Sequence, residues 1–324
     1  MSSPWFVSPK LRPDAKLALF ACGLAFIVIL LGAYTRLTNA GLACPDWPHC
    51  YGYLTAPTTP AQIHHASLTF PGTPVDIKRA WTEMVHRYFA GTEAVLMLAF
   101  MAALAFTPKI KTHYAKRITF ALIALLATQI LLGMLTVTEK LKPMIVTAHL
   151  LTGIAIMATL WWTYLRTYLM QPYFSHHPHR KIKPWIGINL AIVATQIALG
   201  GWVSTHYASL ACVDLPYCNG KLFPALHLHQ LNTDLITIHM MHRIGAFITT
   251  VTVGGLSLCL LQLKHYKILG AILLSLVCAQ ISLGVLNILW LRPVPIALLH
   301  LSVAILLLLT LIASLVKAQV ESCE

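Results

Sequence analysis

A chain of 324 residues that is 57% hydrophobic and only 10% charged is too apolar to be a soluble domain of that size. Its net charge of +13 does not point to nucleic acid, because the basic residues lie in short loops between apolar runs, where membrane topology accounts for them. The composition leaves an integral membrane protein, surrounded by lipid and with no nucleic-acid partner.

In chain order, eight runs are long enough to cross a hydrocarbon core of about 30 Å as helices. They cover 16–38, 84–106, 115–137, 144–169, 184–206, 236–262, 265–290 and 294–317. The segment before the first run lacks the Arg/Ser-rich character of a transit peptide, and that run is too long for a cleaved signal. With the N-terminus inside, the inner segments hold fourteen of the 23 Lys and Arg residues, including Lys10, Arg12, Lys109, Lys111, Arg180 and Lys317. Both termini are therefore expected in the cytoplasm, with the chain in a bacterial inner membrane.

After the first span comes Cys44-Pro45-Asp46-Trp47-Pro48-His49-Cys50, and after the fifth comes Cys212-Val213-Asp214-Leu215-Pro216-Tyr217-Cys218. The offset, 212−44 = 168, also carries Leu31-Gly32 onto Leu199-Gly200. Gln129-Ile130-Leu131-Leu132-Gly133 matches Gln280-Ile281-Ser282-Leu283-Gly284 at an offset of 151. The chain thus reads as an all-α membrane protein of two pseudo-symmetric four-helix bundles, 1–170 and 184–324, joined by a Pro- and His-rich cytoplasmic linker at 171–183. Four spans separate the matched elements, so the repeat is parallel. On the oxidising outer side, Cys44–Cys50 and Cys212–Cys218 read as two local disulfides, leaving Cys22, Cys259, Cys278 and Cys323 as packing residues or inert thiols.

Four histidines recur at matched positions: His86, His149, His242 and His300. All stand near the outer ends of spans two, four, six and eight, so each half brings two imidazoles to one depth. Paired imidazoles across a four-helix bundle are axial ligands for haem iron, and two halves imply two haem sites. Arg36, Arg87 and Arg243 lie where propionates would emerge, and would pair with them or anchor the interface. Gly32, Gly133, Gly200, Gly201 and Gly284 suit the close approach of helices or a flat ligand. The halves differ at Glu83, one turn before His86, where the second half has His239: a carboxylate there can exchange protons, or simply pair with Arg87. Glu93, seven residues beyond His86, is a hydrogen-bonded core group or a proton relay. His49, His64, His65, His206, His227 and His229 read as outer-surface residues.

The Glu-x-x-His-Arg opening of span two, the matched histidines and the paired loop cysteines resemble the haem A synthase family across nearly the whole chain. The resemblance implies oxidation of the C8 methyl of haem O to the formyl of haem A, for use in haem-copper terminal oxidases. It implies that His242 and His300 ligate a haem b cofactor, that His86 and His149 face the substrate porphyrin, and that Glu83 is catalytic. It also gives Cys44 and Cys50 a redox role and makes the haem O-forming farnesyltransferase a partner. An electron donor is required but not named by the residues, and a homo-oligomer is compatible with them. The alternative is a two-haem b-type cytochrome that only passes electrons, which needs the same four histidines but neither substrate pocket nor Glu83.

Overall fold

A computed structural model describes residues 13–106, 113–169, 181–222 and 224–320. The expected linker lies outside them up to Arg180, as do Lys10, Arg12, Lys109, Lys111 and Cys323. The long helices are α1 (Pro13–Leu37), α3 (Ile77–Phe106), α4 (His113–Thr138), α5 (Pro143–Leu169), α6 (Lys183–Thr205), α7 (Leu235–Gln262), α8 (Lys267–Leu289) and α9 (Val294–Val320), with the short α2 (Pro60–Thr69) in the loop between α1 and α3. Eight are long and apolar enough to cross a membrane. This is the expected all-helical architecture.

Hydropathy did not call for α2, yet its signals are local and plain. Thr59 accepts the Gln62 amide while the Gln62 side chain returns to the Thr59 N–H, a reciprocal cap with Pro60 at the first turn. Helix α3 begins at Ile77, seven residues before the apolar run at 84. Hydropathy reports where a chain meets hydrocarbon, whereas a helix continues wherever its backbone bonds can form.

Helix α1 packs on α3 and α5, and α4 packs on α3 and α5, closing one four-helix ring; α6, α7, α8 and α9 close a second in the same order. The rings meet where α5 touches α6 and α9, and where α9 touches α1. Ala18, Ala21 and Ala25 turn a buried, nearly side-chain-free face of α1 inward. Lipid offers no hydrophobic gain for helix association, so close packing of small residues and interhelical hydrogen bonds hold such contacts. Between the rings, Trp161 donates to the Leu309 carbonyl at 2.9 Å, Thr147 and Thr205 hydroxyls lie 3.4 Å apart, and Arg36 donates to the Ser204 carbonyl at 2.7 Å.

The two cysteine-bearing loops fold alike. Cys44–Cys50 and Cys212–Cys218 are at disulfide distance, each followed by a small bridge, Cys50 to Tyr53 and Cys218 to Lys221. Asp46 accepts the Tyr51 and Gly52 amides, and Asp214 accepts those of Asn219 and Gly220, 168 residues on. These amide bonds hold the Asp214 carboxyl below the usual aspartate range. Burial of Tyr51 beneath Phe70 raises its phenol. Cys22 is buried, while Cys259 and Cys278 are exposed on the outside of the helices.

Candidate functional site

Each of the four histidines lies against a glycine of the preceding long helix. A Cβ added to Gly32 would stand 2.8 Å from His86 Cε1, and at Gly133, Gly200 and Gly284 it would stand 3.2, 3.2 and 3.3 Å from His149, His242 and His300. The missing side chain lets an imidazole lie on the backbone of its neighbour. One turn before the glycine stands Gln129, Gln196 or Gln280, whose Nε2 atoms are 3.5, 3.0 and 3.2 Å from a ring nitrogen of His149, His242 and His300. Gln196 also donates to the His242 carbonyl at 2.9 Å. Before Gly32 the matched residue is Val28 (196−168 = 28), so His86 meets the Val28 backbone in place of a glutamine side chain.

His149 is within electrostatic reach of His86, and His300 of His242. All four line one apolar cavity of about 1630 Å³. A pocket for one drug-sized ligand is about 300–1,000 Å³, so this volume accommodates more than one. The Nδ1 atoms of His86, His149 and His300 are buried without a hydrogen-bond partner among the described residues, as are the Oε1 atoms of all three glutamines. With Oε1 turned toward the ring, the Gln129 or Gln280 amide would accept the ring N–H and leave the opposite nitrogen's lone pair free for a metal. Buried imidazoles with orphaned nitrogens, flat glycine seats and apolar walls fit bis-histidine haem iron in each half.

Beyond the histidines, the two cysteine-bearing loops are clamped to the helices. Arg87 donates to the carbonyls of Asp46, Pro48 and His49 at 3.0, 3.2 and 2.5 Å, and Arg243 to those of Cys212, Asp214 and Tyr217 at 2.8, 3.1 and 2.8 Å. Glu83 accepts from Arg87 at 2.6 Å and from the Cys44 amide at 2.9 Å. His239 stands 3.3 Å from both the Cys212 amide and Arg243 Nε. The carboxylate satisfies both donors, whereas a neutral imidazole accepts only one.

These contacts refine what residue type suggested. Arg87 and Arg243 donate to loop carbonyls and also to Glu83 and His239 of their own helices, and Arg36 bonds Ser204 and stacks over Tyr207 at 4.0 Å. Arg292, which shares the cavity mouth with Arg36, carries a charge the sequence reading passed over. It completes a left-handed pair, Leu291 and Arg292 at φ 55° and 61°, repeating Lys140 and Leu141 at 51° and 58°. Glu93, expected to be hydrogen-bonded, is buried with neither carboxylate oxygen partnered among the described residues. His64, His65, His227 and His229 are exposed, and His206 is tied to the Trp202 carbonyl; none of these, nor His49, lines the cavity.

A membrane-spanning bundle whose interior presents four glycine-seated histidines to one apolar cavity defines a multi-pass membrane protein suited to porphyrin. The chain belongs to the COX15-CtaA family of cytochrome oxidase assembly proteins, whose model matches residues 15–312. It is 37% identical to Heme A synthase of Shewanella oneidensis over 303 residues, 88% of this chain and 91% of that protein. It is 26% identical to Heme A synthase of Alkalihalophilus pseudofirmus over 75% of each chain, and 24% identical to that of Neorickettsia sennetsu over 87% of this chain and 91% of the relative.

Proposed function

We infer that the two histidine pairs are the working parts of a haem A synthase. Family membership and the 37% relative give the chain that activity, a haem-dependent membrane oxidation of haem O to haem A. In our reading the C8 methyl becomes the formyl group. His242 and His300 hold haem b in the second half, and His86 and His149 receive the porphyrin of haem O in the first. Bound haem b supplies one-electron redox chemistry beside the substrate. The apolar walls exclude water from the reacting edge.

The observation that carries this division is the asymmetry around a repeated seat. Only the first half puts a carboxylate, Glu83, at the outer end of its pocket, hydrogen-bonded to the first loop cysteine. Glu83 can therefore exchange a proton at Oε1 or Oε2, and any change in its charge alters the hold on Arg87 and Cys44. That link also suits a redox role for Cys44–Cys50. The second pair, Cys212–Cys218, sits on His239 and acts as a staple. Arg36 and Arg292 provide positive charge at the cavity mouth for propionates. In our reading the haem sites face the periplasmic side of a bacterial inner membrane, with both termini in the cytoplasm, which the Lys and Arg bias of the inner segments supports, and the farnesyltransferase that makes haem O is the supplier.

Pigment extraction and chromatography of the full chain, purified after co-expression with a haem O supply, tests the reading. Haem b together with haem A or its hydroxymethyl precursor is expected. Haem b alone, at two per chain, would instead identify an electron-transfer cytochrome.

A further inference from the structure

Glu93 lies two helical turns inward from His86, seven residues or about 10 Å along α3. It lines the cavity and is only 6% exposed. Its two carboxylate oxygens are buried, and neither has a hydrogen-bond partner among the described residues. A carboxyl group left alone inside a membrane bundle is among the most costly placements a side chain can have, and such groups commonly meet a ligand. The second half avoids that cost. Its matched residue is Thr249 (249−156 = 93), whose hydroxyl is satisfied by the Gly245 carbonyl of its own helix at 2.8 Å.

We propose that Glu93 is the specificity residue for the side-chain hydroxyl of the substrate porphyrin, taking a hydrogen bond from the secondary alcohol at the root of the isoprenoid tail. The proposal rests on the assignment of haem O to the first half. On haem O that alcohol stands on the edge of the macrocycle opposite the propionates. With the propionates at the outer mouth near Arg36 and Arg292, the alcohol edge points inward, toward the depth of Glu93. A carboxylate accepts from the alcohol; a carboxylic acid both donates to it and accepts from it. Haem b carries a vinyl group at the same ring position. It asks for no polar partner, and the Thr249 hydroxyl has its proton committed to Gly245.

The test is a spectrophotometric titration of the full chain, already loaded with haem b, using haem O and haem O whose side-chain hydroxyl is converted to the methyl ether. Wild type is expected to bind haem O about 10- to 100-fold more tightly than the ether, the worth of one hydrogen bond to a charged group. Glu93→Leu is expected to bring the two ligands within about two-fold by weakening haem O alone, and Glu93→Gln to keep most of the preference. Equal affinities in wild type, a measurement needing no variant, would overturn the proposal. So would a Glu93→Leu protein that keeps its haem b spectrum and the full preference, whether or not turnover is lost. Haem O binding that is unchanged in His86→Ala would instead sink the assignment of haem O to the first half.

Discussion

In the second half of the chain, the Gln196 side chain occupies the space over Gly245, where an added Cβ would come within 2.1 Å of its Oε1, and it bonds His242 at both ring and carbonyl. The matched positions in the first half are Val28 and Phe89 (245−156 = 89), and His86 is seated on Gly32 with the Val28 backbone, not a glutamine side chain, beside it. A similar exchange occurs above the rings, where Glu83 joins loop to helix in one half and His239 does so less completely in the other. The glycine seat is common to both halves, as is the amide beside the second histidine, Gln129 at His149 and Gln280 at His300; the grip on the first histidine is not. A ligand fixed by a neighbouring amide suits a resident cofactor, while one left without it suits a molecule that must arrive and leave.

The strongest way to break this comparison is to fill a seat. Gly200→Leu drives a side chain into His242 and is expected to remove haem b and all haem A formation, whereas Gly133→Leu, against His149, keeps haem b and loses only the product. Absorption spectra and extracted pigments of the two variants check this. Next comes Glu83→Ala, expected to retain haem b and lower haem A formation by about 10²-fold or more, the usual scale for a missing acid–base group. Glu83→Gln separates its two roles, since the amide can still accept from Cys44 but cannot carry the proton. Recovery of activity in Glu83→Gln would reduce Glu83 to a loop clamp.

A gentler probe exchanges the grips. Gln196→Val is expected to weaken haem b retention by about 10- to 100-fold, and Val28→Gln to slow release of the porphyrin from the first half, both read from dissociation into a haem-scavenging protein. The smallest effect is expected at the entry to α7. There Asp234 accepts the Ile236 amide at 3.1 Å and the Thr237 hydroxyl at 2.6 Å, and pairs with His227 at 3.0 Å. The Thr237 hydroxyl, and then His227, hold the Asp234 carboxyl below its ordinary value of 3.8. A lowered carboxyl contributes stability above that ordinary value and loses it as pH falls through the folded one. Asp234→Ala should cost about 1 kcal/mol as a lost cap, a difference that thermal unfolding shows at neutral pH and that fades in acid.

The spans were legible because twenty-odd apolar residues have few other uses, and the four histidines because a repeat brought them to one depth. The glutamines were visible only as repeat markers. Nothing in Gln129-x-x-x-Gly133 says that an amide and an imidazole share a seat until α4 and α5 are packed together. Arg87 and Arg243 suit propionates or an interfacial anchor by residue type, and spacing along a helix cannot show that a folded loop also presents three carbonyls to each guanidinium. For Glu93 the sequence leaves a hydrogen-bonded core group and a proton relay both open, for the same reason. A partner is a property of the neighbouring helices, and among the described residues they supply none. The signals for α2 were present in Thr59, Pro60 and Gln62, but hydropathy does not register them.

The measurement that bears most directly on the division of labour is haem identity and amount in two paired variants purified side by side, His86→Ala with His149→Ala, and His242→Ala with His300→Ala. The first pair is expected to carry one haem b per chain and no haem O or haem A, and the second to have lost haem b. Loss of haem b from the first pair, with retention in the second, would contradict the assignment and exchange the roles of the two halves.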